Sequence, residues 1–265
     1  EEILSANVQD RSDVRAARLS DALVDRLTLT AERIEAIAAG AREVARLDDP
    51  VGEEIESRIL DNGLELKKIR VPRGVVAVVY EARPNVTIDC AVLTIKSGNA
   101  ILLRGSSYAE RTNRALADVV RDGLAKAGLP EDAVVLSTGG GREAISDLAT
   151  QDGFVDLLIP RGGEGLKNAL KDVATVPVIN GLTDLLHPCQ VMADLQTVQE
   201  EFGDELKPRK IAWIGDGNNM AHSLMLTAGR LGVQVTVAAP AGYQPDAGIV
   251  ATARASGVTV AITAD

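Results

Sequence analysis

Val75-Val76-Ala77-Val78-Val79 is an uninterrupted apolar run between Gly74 and Tyr80. Its β-branched residues favour a strand, and the lack of polar alternation is typical of a strand buried on both faces of a parallel sheet. Beyond it, short apolar runs alternate with helical periodicity, which predicts βαβ units and an α/β fold. Strands are expected near 100–103, 133–137, 156–160 and 176–179, and helices near 86–97, 107–127, 141–150 and 163–172.

The same rhythm continues to the last residues. Helices are expected near 188–202, 217–231 and 246–256, and strands near 210–215, 233–238 and 257–263. Ahead of the apolar run, residues 12–47 show helical periodicity that predicts two amphipathic helices, the second capped by Thr30. No repeat or low-complexity segment interrupts the pattern.

The composition narrows the class of partner. The 265 residues carry a net charge of -10 without a Lys/Arg cluster, which disfavours nucleic acid and anionic membranes. Aromatic residues make up 2% of the chain, so platforms for base stacking are scarce. Neither a signal-like start nor an apolar run of about 18 residues is seen. We therefore expect a cytoplasmic protein with small-molecule ligands and neither nucleic-acid nor membrane partners.

The two cysteines, Cys90 and Cys189, are too few for a disulfide scaffold and lack metal-type spacing. We expect both thiols to be reduced and unpaired, and no metal site.

Several turns at predicted strand ends could bind a phosphate or a cofactor. Ligands of parallel sheets lie at the carboxyl ends of strands, close to helix N-termini. Taken singly, a Gly-rich turn is more often only a tight turn. The candidates are residues 80–85, 104–107, 137–141 and 160–163.

Taken together and in order, these segments carry a specific resemblance. "DRLTLTAERIEAIAAGAREVARLDDPVG", "RVPRGVVAVVYEARPNVTID", "KSGNAILLRGSS", "AGLPEDAV" and "LIPRGGEGL" resemble gamma-glutamyl phosphate reductase, also called glutamate-5-semialdehyde dehydrogenase, over residues 5 to 179. The resemblance implies an aldehyde-dehydrogenase-like cofactor domain with Rossmann-like topology. It also implies an NADPH-dependent oxidoreductase of proline biosynthesis that reduces an acyl phosphate through a cysteine thioester.

The resemblance also implies roles for individual residues. A guanidinium beside the adenosine ribose suits a 2′-phosphate, and glycines at a helix start let the backbone approach a pyrophosphate. Asn85 aligns with the amide that donates to a developing oxyanion, the alternative being a turn-forming Asn after Pro84. The implied cofactor-binding residues are Arg104, Ser106, Ser107, Gly162 and Gly163.

The nucleophilic cysteine of that family belongs to a later domain, beyond the point at which this chain changes identity. Cys90 does not replace it, because it lies in a predicted buried helix with no histidine near it in sequence. The segment "STGGGREAI" also departs from the family pattern. We therefore expect turnover to be lacking.

Two later segments, "VPVINGLTDLLHPCQVMADLQTVQEEFG" and "IAWIGDGNNMAHSLMLTAGRLGVQVTVAAPAGYQPD", carry a second resemblance. Over residues 176 to 265 the chain resembles ornithine carbamoyltransferase, a transferase. The resemblance implies that His187 and Gln190 contact carbamoyl phosphate and that Asn218 or Asn219 binds the amino-acid end of ornithine. The alternatives are a helix-start histidine and an ordinary helix cap. The carbamoyl-phosphate domain, with its Ser-Thr-Arg-Thr loop, is expected to be absent.

The two resemblances meet at Ala174-Thr175-Val176-Pro177-Val178-Ile179. A Val-Pro-Val-Ile strand fits both families there, so we interpret the chain as a chimera whose halves share one continuous parallel strand. The expected segments are a reductase-like NADP(H)-binding part, 1–178, and a truncated carbamoyltransferase-like part, 179–265. Three functions stay open: NADP(H) binding, amino-acid binding of the carbamoyltransferase kind, and a non-catalytic scaffold. Unpaired sheet edges could drive homo-oligomer formation.

Overall fold

The computed structural model describes residues 1–17, 20–141, 143–207, 209–257 and 259–264. These form two compact units: unit 1 comprises residues 1–159 and 169–179, and unit 2 comprises residues 160–168 and 180–265. Residues 18, 19, 142 and 258, which fall inside predicted elements, lie outside the described residues.

Unit 1 begins with three helices, α1 (Glu2–Ala16), α2 (Asp21–Leu27) and α3 (Ala31–Arg46). The prediction of two helices from residue 12 was wrong about α1, which starts at Glu2. Its buried face includes Asn7 and Asp10, at 1% and 2% exposure, so an apolar pattern could not reveal it. At α3 the predicted cap is confirmed, since the hydroxyl of Thr30 accepts from the Arg33 N–H.

A two-stranded antiparallel hairpin follows, made of β1 (Glu54–Ile59) and β2 (Glu65–Ile69). The Asn62 side chain accepts from the Leu64 N–H and so shapes the turn between them. Every residue of both strands is exposed.

The main sheet of unit 1 contains β3 (Val75–Tyr80), β4 (Ala100–Arg104), β5 (Val134–Leu136) and residues 157–159 of β6 (Leu157–Arg161), in the order β5-β4-β3-β6. β3 pairs in parallel with β4, and β4 with β5, as predicted. Helices α4 (Asn85–Lys96), α5 (Glu110–Lys126) and α6 (Glu143–Ala149) connect these strands.

The order of the strands reverses at β3, because β4 and β5 lie on one side of it and β6 on the other. In doubly wound sheets, ligands bind at the carboxyl ends of strands next to such a reversal. The ends of β3 and β4 are therefore the part of unit 1 in which to look for a site.

The strand predicted at 176–179 is absent, so the prediction of a continuous strand at the junction was wrong. Val178 makes only an isolated parallel bridge to Leu158. Pro177 accepts from the Leu158 N–H at 2.9 Å, but it has no N–H of its own with which to extend the ladder. Helix α7 (Glu164–Lys171) precedes this segment.

Unit 2 contains a three-stranded parallel sheet with helices between its strands. The elements are α8 (Pro188–Phe202), β7 (Lys210–Ile214), α9 (Asn219–Leu231), β8 (Gln234–Ala238), α10 (Ala247–Ala255) and β9 (Val260–Thr263). The strand order is β7-β8-β9, and one apolar cluster joins all three helices to the sheet. Each of these elements was predicted within a few residues.

Across the described ranges, no helix combines the length and apolar character that a membrane span needs. The same ranges contain no group of three His, Cys, Asp or Glu side chains that could hold a metal ion.

Candidate functional site

Arg104 is the last residue of β4 and is half-buried. Its guanidinium donates to the carbonyls of Ser137 at 3.3 Å and Gly141 at 3.1 Å. These contacts fix the guanidinium against the loop that follows β5. A guanidinium has five N–H groups, so two such bonds leave donors for an anion.

The loop from β4 to α5 is shaped by close packing. The Ser106 hydroxyl accepts from the Tyr108 N–H at 3.3 Å and starts a short 3₁₀ turn that includes Ser107. A Cβ at Gly105 would lie 2.2 Å from Nδ2 of Asn113, so only glycine fits there without a rearrangement. The loop is therefore held by the first turn of α5.

A buried chain of polar side chains lies beneath this loop. The hydroxyls of Tyr80 and Thr87 are 2.7 Å apart, and Thr87 donates to Oδ1 of Asn113 at 3.1 Å. Because Thr87 has one proton, Tyr80 must be the donor in the first bond. Burial raises the pKa of Tyr80 and so keeps that proton in place. This chain links the end of β3 to the starts of α4 and α5, and the sequence interpretation missed it.

Asn85 is the first residue of α4 and is half-buried. Its Nδ2 donates to the Asp89 carboxylate at 3.0 Å, one turn along the helix. One amide proton is therefore engaged, and an oxyanion would have to use the other. The role of Asn85 as an oxyanion donor remains a prediction.

Gly162 and Gly163 lie between β6 and α7 and belong to unit 2, whereas Arg104, Ser106 and Ser107 belong to unit 1. The Gly162 N–H donates to the Leu182 carbonyl at 3.0 Å. That N–H is therefore occupied in this structure, and the two glycines remain predicted cofactor residues.

His187 occupies the N-cap position of α8 within unit 2 without a side-chain capping bond, and Pro188 occupies the first turn as predicted. The His187 N–H donates to the Ser223 hydroxyl at 2.7 Å. Its ring Nδ1 is shielded from solvent and has no hydrogen-bond partner among the described residues. Burial, reinforced by the positive charge of Arg161, lowers the pKa of His187. The imidazole is therefore neutral at pH 7, beside a cation and a helix N-terminus.

The other residues predicted for unit 2 have local roles. Gln190 donates to Asp194 at 2.9 Å along α8. Asn218 is exposed and caps α9 by accepting from the Met220 N–H at 3.0 Å. Asn219 donates to the Thr183 carbonyl at 2.7 Å and so holds the loop that leads to His187.

Sequence reasoning also left His222 and Arg161 without a role. His222 is 7% exposed and makes hydrogen bonds through both ring nitrogens. Arg161 ends β6, and its only sequence signal was its place in the turn before Gly162. Neither residue could be connected to His187 from spacing alone.

The family models that match describe two domains of one family. Residues 207–265 match the Asp/Orn binding domain of aspartate/ornithine carbamoyltransferase, and residues 121–200 match its carbamoyl-P binding domain. The carbamoyltransferase similarity therefore begins upstream of residue 176. The expectation that the carbamoyl-phosphate domain is absent was wrong to that extent.

The curated relatives belong to the other family. The gamma-glutamyl phosphate reductase of Thermobifida fusca is 49% identical over 187 residues, which cover 71% of this chain and 45% of the relative. The chain thus spans about half the length of the curated relatives it matches.

Solved structures of both families are similar to the chain. The gamma-glutamyl phosphate reductase of Thermotoga maritima has a TM-score of 0.68 and 29% identity, covering 89% of this chain and 54% of that one. Ornithine carbamoyltransferase from Pyrococcus furiosus has a TM-score of 0.53 and 25% identity, covering 88% and 63%. The chain thus joins, in one polypeptide, sequence similar to the gamma-glutamyl phosphate reductases and sequence similar to the aspartate/ornithine carbamoyltransferases, as a chimera of the two would.

Proposed function

We propose that unit 1 binds NADP(H), with Arg104 holding the 2′-phosphate. The observation that carries the proposal is the fixed guanidinium at the carboxyl end of β4, with the Ser106 turn directly after it. A planar fork of donors suits a phosphate. The relatives named gamma-glutamyl phosphate reductase support a dinucleotide role, and with it the cofactor-domain architecture of the aldehyde-dehydrogenase-like fold.

The remaining cofactor contacts follow from the same proposal. Ser106 and Ser107, which belong to the same unit as Arg104, would lie beside the ribose. The functional division would follow residues 1–178 and 179–265. Hydride transfer between a nicotinamide and an acyl group is the chemistry that the cofactor would supply.

Titration of the purified chain with NADPH and NADH tests this proposal. Both cofactors fluoresce, so binding is followed by nicotinamide emission and checked by calorimetry. Losing one charge-assisted contact should weaken NADPH binding by roughly 10- to 100-fold in Arg104→Ala. NADH, which lacks the 2′-phosphate, should bind almost as before.

Arg42→Ala is the matched control, because Arg42 is exposed on α3 and pairs only with Glu35 among its described contacts. It removes the same charge and should leave the NADPH affinity unchanged. Equal weakening of NADPH and NADH by Arg104→Ala would refute recognition of the 2′-phosphate. No saturable binding up to millimolar NADPH would refute the whole proposal.

We propose further that unit 1 does not complete the reductase reaction. A thioester mechanism needs a reactive thiolate, and the family resemblance assigns that cysteine to a later segment. Cys90 lies in α4, in the environment of the buried Tyr80. If an acyl phosphate oxidised NADPH in the presence of this chain and Cys90→Ser abolished the reaction, this part of the proposal would fail.

A second candidate function is anion binding on unit 2, and the unpartnered Nδ1 of His187 beside Arg161 favours it. The helix N-terminus of α8 adds a positive electrostatic potential. The match to a carbamoyl-P binding domain supports carbamoyl phosphate as the anion. Gln190 would be a further contact, and Asn218 with Asn219 would hold ornithine.

Carbamoyl phosphate, inorganic phosphate and ornithine, added separately, test the second candidate. The imidazole NMR signals of His187 should shift with the two phosphates, and Arg161→Gln should abolish that shift. Ornithine should instead perturb the side-chain amides of Asn218 and Asn219. Unchanged spectra at millimolar ligand would leave a non-catalytic scaffold as the function of unit 2.

We also propose a cytoplasmic setting and self-association. Cys90 and Cys189 form no disulfide with each other, and thiols are kept reduced in the cytoplasm. Ile214, at the end of the edge strand β7, is 84% exposed, and an uncovered edge favours pairing between copies. Sedimentation should show a concentration-dependent dimer that Ile214→Lys weakens, and a strict monomer would refute this proposal.

A further inference from the structure

His222 lies in the first turns of α9 and joins two segments that are distant in sequence. Its Nδ1 is 3.0 Å from the Leu185 carbonyl oxygen, and its Nε2 is 2.9 Å from the backbone nitrogen of Asp246. The ring is 7% exposed. It therefore bridges the loop ahead of α8 and the start of α10 from a site that water hardly reaches.

These two partners determine the protonation state of the ring. A carbonyl oxygen can only accept, so Nδ1 must carry a proton. A peptide N–H can only donate, so Nε2 must present a lone pair. Both bonds exist only in the neutral Nδ1–H tautomer, and a second proton at Nε2 would set two donors against each other.

His222 is also part of a polar ladder on one face of α9, because residues at i, i+3 and i+4 lie together on a helix. Each of its three residues makes a hydrogen bond to the segment 183–187, which ends at His187. The ladder pairs Asn219 with the Thr183 carbonyl, His222 with the Leu185 carbonyl, and Ser223 with the His187 N–H.

We propose that His222 is a positioning residue whose neutral Nδ1–H tautomer holds the segment 183–187 and the start of α10 together. Asp246 is the cap of α10, since its carboxylate accepts from the Ile249 N–H at 3.0 Å. Breaking the bond at its backbone N–H would therefore loosen the first turn of that helix.

The elements around His222 carry several charged groups. The loop and α8 bring Asp184, His187 and Asp194. Asp216 precedes α9, which carries Arg230 near its end, and Asp246 caps α10, which carries Arg254 near its end. Of these, Asp246 is the one whose backbone contacts the ring directly. Neither NADP(H) nor a carbamoyltransferase ligand is needed to test this role of His222, because the measurements follow the His222 imidazole and the Asp246 amide directly.

The tautomer is measured first, on the intact chain labelled with ¹⁵N-histidine. The chain has only two histidines, so the imidazole spectrum contains two sets of signals. We expect His222 in the Nδ1–H form at neutral pH. When a substitution removes the Nε2 acceptor, the exchange protection of the Asp246 amide should fall by roughly 5- to 10-fold, the net value of one hydrogen bond.

Two substitutions separate the two bonds. In His222→Asn the side-chain amide can still donate towards Leu185, whereas in His222→Gln the side-chain oxygen can still accept from Asp246. His222→Asn should lower the Asp246 protection by that roughly 5- to 10-fold and leave the His187 signals unchanged. His222→Gln should keep that protection and shift the His187 signals.

An Nε2–H tautomer in the wild-type chain would overturn the proposal without any variant, and so would Asp246 protection that His222→Asn leaves unchanged. His187→Asn is the control, and it should leave the Asp246 protection intact. If it lowered that protection, the effect would belong to His187 and the proposal would fail.

Discussion

Replacing Asp10 with Ala should destabilise unit 1 by about 2–4 kcal/mol, the sum of a lost helix cap and an unsatisfied buried hydroxyl. The Asp10 carboxylate is 2% exposed and accepts from the N–H and the hydroxyl of Thr112 at 2.8 and 2.7 Å. It thereby caps α5 from α1, where a negative charge is also favourable to the helix dipole.

Asp13→Ala is the matched control. Asp10 and Asp13 both pair with Arg111, at 3.2 and 2.6 Å, but Asp13 is 66% exposed. An exposed ion pair contributes about 0–1 kcal/mol, so Asp13→Ala should change stability little. The Asp13–Arg111 ion pair is the shorter of the two, but its loss should lower the free energy of unfolding less, because Asp13 is exposed to solvent and Asp10 is buried.

Urea unfolding followed by circular dichroism, with hydrogen exchange of peptides from α5, measures the difference. Trp213 lies in unit 2, so its fluorescence shows whether that unit is affected separately. Two units need not unfold together, so each transition is fitted by itself. If Asp10→Ala destabilised unit 1 no more than Asp13→Ala does, the assignment of a buried capping role to Asp10 would be refuted.

Gly105→Ala should destabilise unit 1 by about 1–3 kcal/mol, because the new Cβ would lie 2.2 Å from Nδ2 of Asn113. Gly123→Ala, in α5, should instead stabilise unit 1 by about 0.5–1 kcal/mol, because no atom lies within 4 Å of the new Cβ. If the two alanine variants changed the free energy of unfolding in urea in the same direction, the packing argument would be contradicted. Gly217→Ala should lower the unfolding midpoint of unit 2, seen by tryptophan fluorescence, because its Cβ would lie 2.2 Å from a backbone nitrogen of the loop after β8. Because the pKa of His187 is lowered in the folded chain, the unfolded chain takes up a proton on this imidazole at a higher pH than the folded chain does. The contribution of the neutral His187 to stability should therefore be present above about pH 6.5 and be lost as the pH falls. An NMR titration midpoint of His187 above about 6.5 would contradict this sign.

The junction between the two resemblances shows a limit of pattern reading. The segment 174–179 is apolar and β-branched, so local propensity favours a strand. Whether a strand forms there depends on the register with the neighbouring strand β6 and on whether each residue that faces β6 has an N–H to donate. Pro177 faces Leu158 without an N–H, and the ladder shrinks to one bridge at Val178.

Helix α1 shows a second limit. Hydrophobic periodicity identifies a helix whose buried face is apolar, but α1 buries Asn7 and Asp10. These side chains are tolerated because Leu27, Leu29 and Thr112 satisfy them. Those partners come from other elements, so no window of sequence around α1 contains the reason.

The sequence by itself determined the α/β class, the parallel strands around residues 75–79, the helices of unit 2 and the two family resemblances, because periodicity, turn residues and motifs are local. Tertiary structure alone decided which polar groups meet. The chain from Tyr80 to Asn113 and the bridge made by His222 each join residues from separate elements. Such contacts depend on how strands order and helices pack, and a buried polar group is stable only once that arrangement brings its partner within hydrogen-bonding distance.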